Sequence, residues 1–266
     1  MPTFNLVMAL KRSNAIVIGH YSLGETDKII VFFTRDYGKV RAVAKGVKRL
    51  KSRLSGRTEI LTYGDLIYFE RVGKDLHSIN SFDIIESFQT LKEDLLKMAN
   101  CFYLAELIQH VTSESEADPD TFDLMLNTMS LIEFSNDIEV IVRAFEIKLL
   151  EKMGLNPRLN SCIVCSHEIN DDAPKFSIQS GGVICAKCSK LGHHAFNISR
   201  SSLELMKKMA NISLEVIPSL NVSEANRQEI KKLLSGFIAY HVDAKNLRSL
   251  SFLESIEAEY KISSKV

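Results

Sequence analysis

The stretch KIIVFFTRDYGKVRAVAKG, residues 28–46, decides the fold of the N-terminal part of the chain. Two runs of β-branched and aromatic residues, 29–33 and 40–44, flank the turn-like Asp36-Tyr37-Gly38, which is typical of two strands joined by a short turn. Similar apolar runs occur at 15–18, 66–69 and 76–85. Five short strands predict a small Greek-key barrel such as the OB-fold, which holds oligonucleotides on its curved face, although an SH3-like barrel fits nearly as well.

Past residue 86 the apolar residues change to helical spacing. A first helix of roughly twenty residues is expected, then a second after Asp118-Pro119 and a third after Asn136-Asp137 that ends at Gly154 and Pro157. Helical patterns resume at 201–209, 223–240 and 248–256. We therefore predict an α+β protein with an OB-fold domain over 1–84 and a helical domain over 85–158 and 195–266. Residues 159–194 contain four cysteines in two C-x2-C pairs, a spacing typical of zinc ligands, and are predicted to form a zinc-binding insertion.

The charge of the chain is balanced overall but not along its length. There are 33 Lys and Arg against 33 Asp and Glu, yet residues 1–85 hold 14 basic and 8 acidic side chains, and the rest of the chain carries a net charge of −6. This asymmetry favours an anionic partner for the N-terminal part. Because the densest apolar run, 29–33, is too short to span a bilayer, we expect a cytoplasmic protein without membrane contact.

Four of the five cysteines form the most specific motif in the sequence. Cys162 and Cys165 make one C-x2-C pair, and Cys185 and Cys188 make a second after nineteen intervening residues. This spacing predicts one structural zinc ion held by four thiolates. Two disulfides are the alternative, which a reducing cytosol disfavours.

Catalysis by such a metal would need an open coordination position, which four thiolates do not leave. His167, His193 and His194 are near enough in sequence to replace a ligand, but no H-x-E element of a nucleobase deaminase occurs. Phosphate-loop, G-x-S-x-G and H-E-x-x-H motifs are also missing. Cys101 is interpreted as a core residue of the first helix, and Asp171-Asp172 as solvent-facing turn residues. A protein without enzymatic activity is predicted.

A basic run follows the second predicted strand. Residues 38–57 contain eight cations and no acidic residue, and their first part alternates like a strand while the rest resembles a mobile loop. Cations on a barrel face and an adjoining loop suit the phosphates of single-stranded DNA, although such a run is often only a solvated surface. The predicted DNA-binding residues are Lys39, Arg41, Lys45, Lys48, Arg49, Lys51, Arg53 and Arg57. Nearby aromatic residues that could stack on bases are Tyr21, Phe33, Tyr37, Tyr63, Tyr68 and Phe69, of which at least half must be core.

With these parts in this order, the chain resembles the RecO family of bacterial recombination mediators over nearly its whole length. The matching residues in the barrel are Glu25-Thr26-Asp27, Phe33-Thr34, Gly38, Ala44-Lys45-Gly46 and Ser52-Arg53. Those in the middle are Arg143-Ala144-Phe145-Glu146, Leu149-Leu150, Gly154, Pro157, Leu159 and Cys162-Ile163-Val164-Cys165. Near the end they are Leu247-Arg248-Ser249 and Phe252-Leu253. Three positions depart from the family pattern: Val47-Lys48 replaces Ala-Arg, Ser166 replaces a common glycine, and residues 60–63 match only loosely.

The resemblance implies a role in recombinational repair. On that basis the protein is expected to bind single-stranded and duplex DNA, to anneal complementary strands, and to engage the single-strand DNA-binding protein. With the partner RecR it would help to load RecA, acting in the bacterial cytoplasm at the nucleoid. Two other interpretations stay open: a zinc-dependent enzyme that modifies nucleic acid, and a zinc-ribbon module that binds protein or RNA.

Overall fold

Two units make up the chain in the computed structural model: Met1–Leu126 with Leu247–Val266, and Asn127–Asn246. The structure describes residues 8–50, 52–114, 116–170, 174–191, 195–242, 244 and 247–263. Within these ranges, no helix has the length and apolar character needed to cross a membrane. The three-segment division predicted from the sequence stays a proposal, and the structure adds that the C-terminal residues group with the barrel.

The first unit contains a closed five-stranded barrel. Its strands are β1 (Met8–Leu23), β2 (Asp27–Thr34), β3 (Gly38–Ala44), β4 (Tyr63–Arg71) and β5 (Leu76–Glu86). They neighbour one another in the order β1-β2-β3-β5-β4, and β4 pairs back with β1 to close the barrel. The β3–β5 pair is parallel and the other pairs are antiparallel. This arrangement confirms the OB-fold prediction.

Alternation along the strands separates the barrel core from its outer face. Inward residues such as Val17, Ile30, Phe32 and Ala42 are fully buried, and the Phe32 and Phe82 rings lie 5.2 Å apart. Residues opposite each other on antiparallel strands share a face. The pairings Tyr21 with Ile29 and Val31 with Arg41 therefore place these four side chains on the outer face.

The helices of the first unit are α1 (Gln89–Glu93), α2 (Leu95–Val111), the first half of α3 (Pro119–Phe134), and α7 (Arg248–Ser263). The single first helix expected from the sequence is thus two helices. Asp94 has an extended backbone, and its carboxylate accepts hydrogen bonds from the amides of Leu96 and Lys97. This capping explains the break, because a side chain that satisfies free amides begins a new helix.

The second unit is built on α4 (Ile138–Lys152), α5 (Arg200–Asn211) and α6 (Glu224–His241). Arg143 and Glu146, from the matching motif in α4, form an ion pair of 3.0 Å with side chains only 5% and 0% exposed. Gly154, at φ +70°, ends the helix and directs the chain into the cysteine-containing segment. That segment carries β6 (Lys175–Ser177) and β7 (Gly182–Ile184), and β8 (Phe196–Asn197) pairs with β6.

Candidate functional site

The basic loop between β3 and β4 is held at its base by two of the matching motifs. The Asp27 carboxylate accepts hydrogen bonds from the Gly46 amide and from the Thr26 hydroxyl, both at 2.8 Å. Donation from the Gly46 amide is the main reason why the pKa of Asp27 is lowered. Gly46 has φ +63°, a conformation that favours glycine, and Val47 beside it is buried in the barrel core. The loop therefore leaves the barrel from a fixed point.

Three of the eight predicted DNA-binding side chains are free to contact a ligand. The side chains of Lys45, Arg49 and Arg53 are exposed and make no hydrogen bond or ion pair with any residue that the structure describes, and the charges of Lys45 and Arg49 contribute to the lowered pKa of Asp27. Lys51, also predicted, lies outside the described residues. Since Leu50 between them is fully exposed as well, this loop presents its cations to solvent.

The other four predicted cations already have partners within the protein. The Lys48 ammonium donates to the Gly24 carbonyl at 3.0 Å, and Arg57 pairs with Asp83 at 2.6 Å. Arg41 pairs with Glu114 at 2.8 Å, although its side chain keeps an exposed fraction of 43%. Lys39 is the most enclosed of the described cations in this set.

Lys39 joins the barrel to the end of α2. Its ammonium donates to the carbonyls of Gln109 and Thr112 at 2.9 and 3.0 Å, where the free carbonyls of the helix C-terminus favour a cation. Burial lowers the pKa of Lys39. Next to it, a Cβ on Gly38 would lie 2.0 Å from the Glu116 carbonyl, so the chain after α2 packs directly against the start of β3. An acidic segment, represented by Glu114 and Glu116, thus lies beside the basic strand β3.

The aromatic residues named as stacking candidates separate into core and surface. Phe33 and Tyr68 are buried, and burial raises the pKa of Tyr68. Tyr21 has 56% of its surface exposed and stands on the outer face, where it shares the surroundings of Arg41. It is therefore the stacking candidate that the barrel places best.

The four cysteines of the two C-x2-C pairs come together in the second unit. The sulfur atoms of Cys162, Cys165, Cys185 and Cys188 all lie within 4.8 Å of one another, and those of Cys165 and Cys185 are 3.8 Å apart. Thiolates about 2.3 Å from a tetrahedral ion would be roughly 3.8 Å apart, so the donor set fits one such ion. All four are free thiols in the structure, and 3.8 Å is far beyond a disulfide bond.

Each cysteine pair forms the same kind of turn. The Ser166 amide donates to the Cys162 carbonyl and the Ser189 amide to the Cys185 carbonyl, both at 2.9 Å. Ser166 adopts φ +59°, a conformation that favours glycine, which explains why glycine is common at this position in the family that the sequence resembles. Burial opposes ionisation of Cys162, but backbone amides, first that of Cys185, donate to its sulfur and lower its pKa to about 6. The pKa of Cys188 is instead raised, first by its hydrogen bond with Cys185, and a metal binds the deprotonated form of each sulfur.

No alternative metal ligand joins this cluster among the described residues. The His167 ring nitrogen lies 3.3 Å from the Cys165 carbonyl, outside the group of four sulfurs. His193, His194, Asp171 and Asp172 lie outside the described residues. A metal ion held by all four sulfurs would have no open coordination position for a substrate.

Comparison with known proteins matches two successive parts of the chain to family models. The family model described as Recombination protein O N terminal matches residues 8–88, and the one described as Recombination protein O C terminal matches residues 92–251. The chain belongs to the RecO family. A relative from Alkaliphilus metalliredigens, named DNA repair protein RecO, is 32% identical over 93% of this chain and 100% of its own length. Another of the same name from Clostridium acetobutylicum is 33% identical over 95% and 100%.

The RecO motif near the C-terminus acquires a structural role that the sequence did not reveal. Glu106, on α2, accepts hydrogen bonds from the backbone amides of Arg248 and Ser249 at 3.2 and 2.8 Å and from the Ser249 hydroxyl. This contact caps α7 and fixes it to α2 in the first unit. The side chain of Arg248 thereby comes close to the barrel, where sequence reasoning did not place a cation.

Proposed function

We propose that this chain is a DNA repair and recombination mediator that binds single-stranded and duplex DNA and anneals complementary strands. The observation that carries the proposal is a group of exposed cations, Lys45, Arg49 and Arg53, whose side chains have no hydrogen bond or ion pair within the described part of the chain. They lie on a loop that leaves the OB-fold barrel of a RecO-family chain. Membership in a family whose relatives are named DNA repair proteins supports it.

The predicted cations have three roles in this proposal. Lys45, Arg49 and Arg53 make the first phosphate contacts, because their side chains have no hydrogen bond or ion pair to a described residue that must first be broken, and Lys51 of the same loop is proposed to assist them. Arg41, Lys48 and Arg57 join by exchanging a carboxylate or carbonyl for a phosphate. Lys39 borders the same surface, and its main effect is to hold α2 against β3.

Annealing needs no nucleotide hydrolysis. Each base-pair step formed releases about 1.4 kcal/mol, so the protein has only to reduce repulsion between two strands. Cations that bind phosphates and leave base edges free raise the rate of encounter without specifying sequence. The four-cysteine site, proposed to hold Zn²⁺, stabilises its segment and takes no part in chemistry, so we propose that the protein is not an enzyme.

The partners follow from the family. We propose that the protein acts on DNA coated by the single-strand DNA-binding protein, works with RecR, and so assists the loading of RecA in the bacterial cytoplasm at the nucleoid. Two separate observations disfavour the other interpretations. A closed thiolate site leaves no place for a catalytic water, which disfavours a zinc-dependent enzyme. A zinc-ribbon module alone gives no role to the cations of the barrel.

The test mixes complementary oligonucleotides, bare or coated with single-strand DNA-binding protein, with the purified protein and follows duplex formation with and without ATP. We expect acceleration over the spontaneous rate in both cases, independent of ATP. An absolute need for ATP, or no acceleration on either substrate, overturns the proposal.

A further inference from the structure

A cavity of about 550 Å³ lies within the first unit, on the outer face of the barrel. Its walls come from β1, β2 and β3, from α2, and from the start of α7. The volume is in the range of pockets that hold small molecules. The side chains around it that carry recognition chemistry are Tyr21, Arg41, Phe102, His110 and Arg248.

The lining combines aromatic rings with cations. Tyr21 and Phe102 are the aromatic side chains, and Lys39, Arg41 and Arg248 are the cations. The Lys39 ammonium already donates to two carbonyls and Arg41 is paired with Glu114, so Arg41 reaches a phosphate by exchange with that carboxylate. Arg248 is exposed, as is His110, whose ring has no hydrogen-bond partner among the described residues. A nucleotide has the matching chemistry, since its flat base stacks on aromatic rings and its phosphate binds guanidinium groups.

Gly19 allows β1 to approach α2 closely at the cavity wall, and hydrogen bonds to Glu106 reduce the negative charge of the lining. The register of β1 shifts between Val17 and Gly19, and a Cβ at residue 19 would lie only 3.0 Å from the Gln109 amide nitrogen. Glu106 is the carboxylate among the described lining residues, and its oxygens already accept hydrogen bonds from the start of α7. An anion therefore meets three cations, one of which it shares with Glu114, and a lining carboxylate that has its own donors.

A second, shallower hollow adjoins the cavity. It has a volume of about 340 Å³ and is lined by Tyr21, Ile29, Arg41, Asp75 and Leu76. Tyr21 and Arg41 line both hollows, so they form the wall between them. A side chain with this placement can stack between neighbouring bases of a strand while the adjacent guanidinium binds the phosphate that links them.

We infer that the cavity receives an unpaired base of single-stranded DNA, that Tyr21 stacks on it, and that Arg41 and Arg248 bind the neighbouring phosphates. This inference rests on the proposed DNA-binding function and adds a preference to it. A base in a duplex is paired and stacked, and entering the cavity would require its extrusion. The cavity thus favours single strands over duplex DNA, which phosphate contacts alone do not.

The test separates base recognition from phosphate binding. It measures the affinity of the protein for an oligothymidylate and for an abasic deoxyribose-phosphate strand of equal length at the same salt concentration. We expect the natural strand to bind on the order of 10-fold more tightly, the usual scale for a stacked base. Tyr21→Ala should remove this preference without changing the salt dependence of binding, whereas Tyr21→Phe should keep it. Tyr260→Ala is the matched control, because Tyr260 is similarly exposed, at 49%, in the same unit.

Equal affinity of the unmodified protein for the two strands overturns the inference while leaving electrostatic DNA binding intact. A preference that survives Tyr21→Ala also overturns it. Failure of the protein to bind either strand rejects the proposed function itself. Because Tyr21 is exposed, both of its variants are expected to fold, and their melting temperatures verify this.

Discussion

Neutralising the three free cations, as Lys45→Gln, Arg49→Gln and Arg53→Gln together, tests the DNA-binding surface most directly. These side chains are exposed and make no hydrogen bond or ion pair with a described residue. Their replacement therefore removes positive charge without breaking a side-chain hydrogen bond or ion pair to a described residue, although it also removes part of the charge that lowers the pKa of Asp27. Surface changes of this kind alter the free energy of unfolding by about 0.5 kcal/mol or less each, so any large loss of binding reflects the interface.

The expected magnitude follows from the number of phosphate contacts. Each contact to single-stranded DNA contributes about 0.7 to the slope of log affinity against log salt, so three contacts contribute roughly 2. Raising the salt concentration fourfold, from 50 to 200 mM, would then reduce the ratio of the affinity of the unmodified protein to that of the variant by roughly 20-fold. The two proteins should approach equal affinity at high salt.

Fluorescence anisotropy of a labelled oligothymidylate, titrated at several salt concentrations, measures both affinity and slope. The control variant carries Lys187→Gln, Lys190→Gln and Lys208→Gln, three exposed lysines of the second unit that remove the same charge. It should keep most of the slope. The reasoning fails if the loop variant retains the full slope, or if the control loses as much, since binding would then depend on net charge or on another surface.

Four further outcomes follow from single contacts. Glu114→Gln frees Arg41 and should raise affinity for single-stranded DNA about two- to fivefold, the range for an exposed ion pair, in the same titration. Lys39→Met should lower the free energy of unfolding by about 1–2 kcal/mol in urea denaturation, because the two carbonyls at the end of α2 lose their donor. Ser166→Gly should raise that free energy by about 1 kcal/mol, since φ +59° strains a side chain, and a decrease would contradict this account. Cys185→Ser with Cys188→Ser should reduce zinc from one ion per chain to none by elemental analysis, and full retention would exclude the four-cysteine site.

The barrel and the cysteine cluster could be predicted because their signals are local. Alternation over 29–33 and 40–44 fixes two neighbouring strands, and each C-x2-C pair forms its turn within five residues. The break between α1 and α2 also had a local signal, Asp94, but the continuous apolar spacing concealed it. Helical periodicity does not distinguish one long helix from two that share a face.

The cavity and the partners of the basic run could not be predicted, because they depend on residues distant in sequence. Arg248 reaches the barrel only because Glu106 caps α7, across 142 positions. Glu114 neutralises Arg41 only because the chain after α2 packs against β3. A composition count treats all eight cations as equal, although the fold leaves only some of them free.

Because some of the eight cations are free and others are paired within the protein, a salt titration of the unmodified protein should show a smaller slope than their number suggests. Eight independent phosphate contacts would give a slope of about 5 to 6 for single-stranded DNA. When Arg41 or Arg57 exchanges its carboxylate for a phosphate, however, the freed Glu114 or Asp83 attracts a cation from solution, which offsets the counterion released from the DNA. Such exchanges add affinity with little salt dependence. Two results together would show that Glu114, in the acidic segment beside β3, competes with DNA phosphates for Arg41. The first is a slope of the unmodified protein near that of the free cations alone, and the second is a rise in slope after Glu114→Gln.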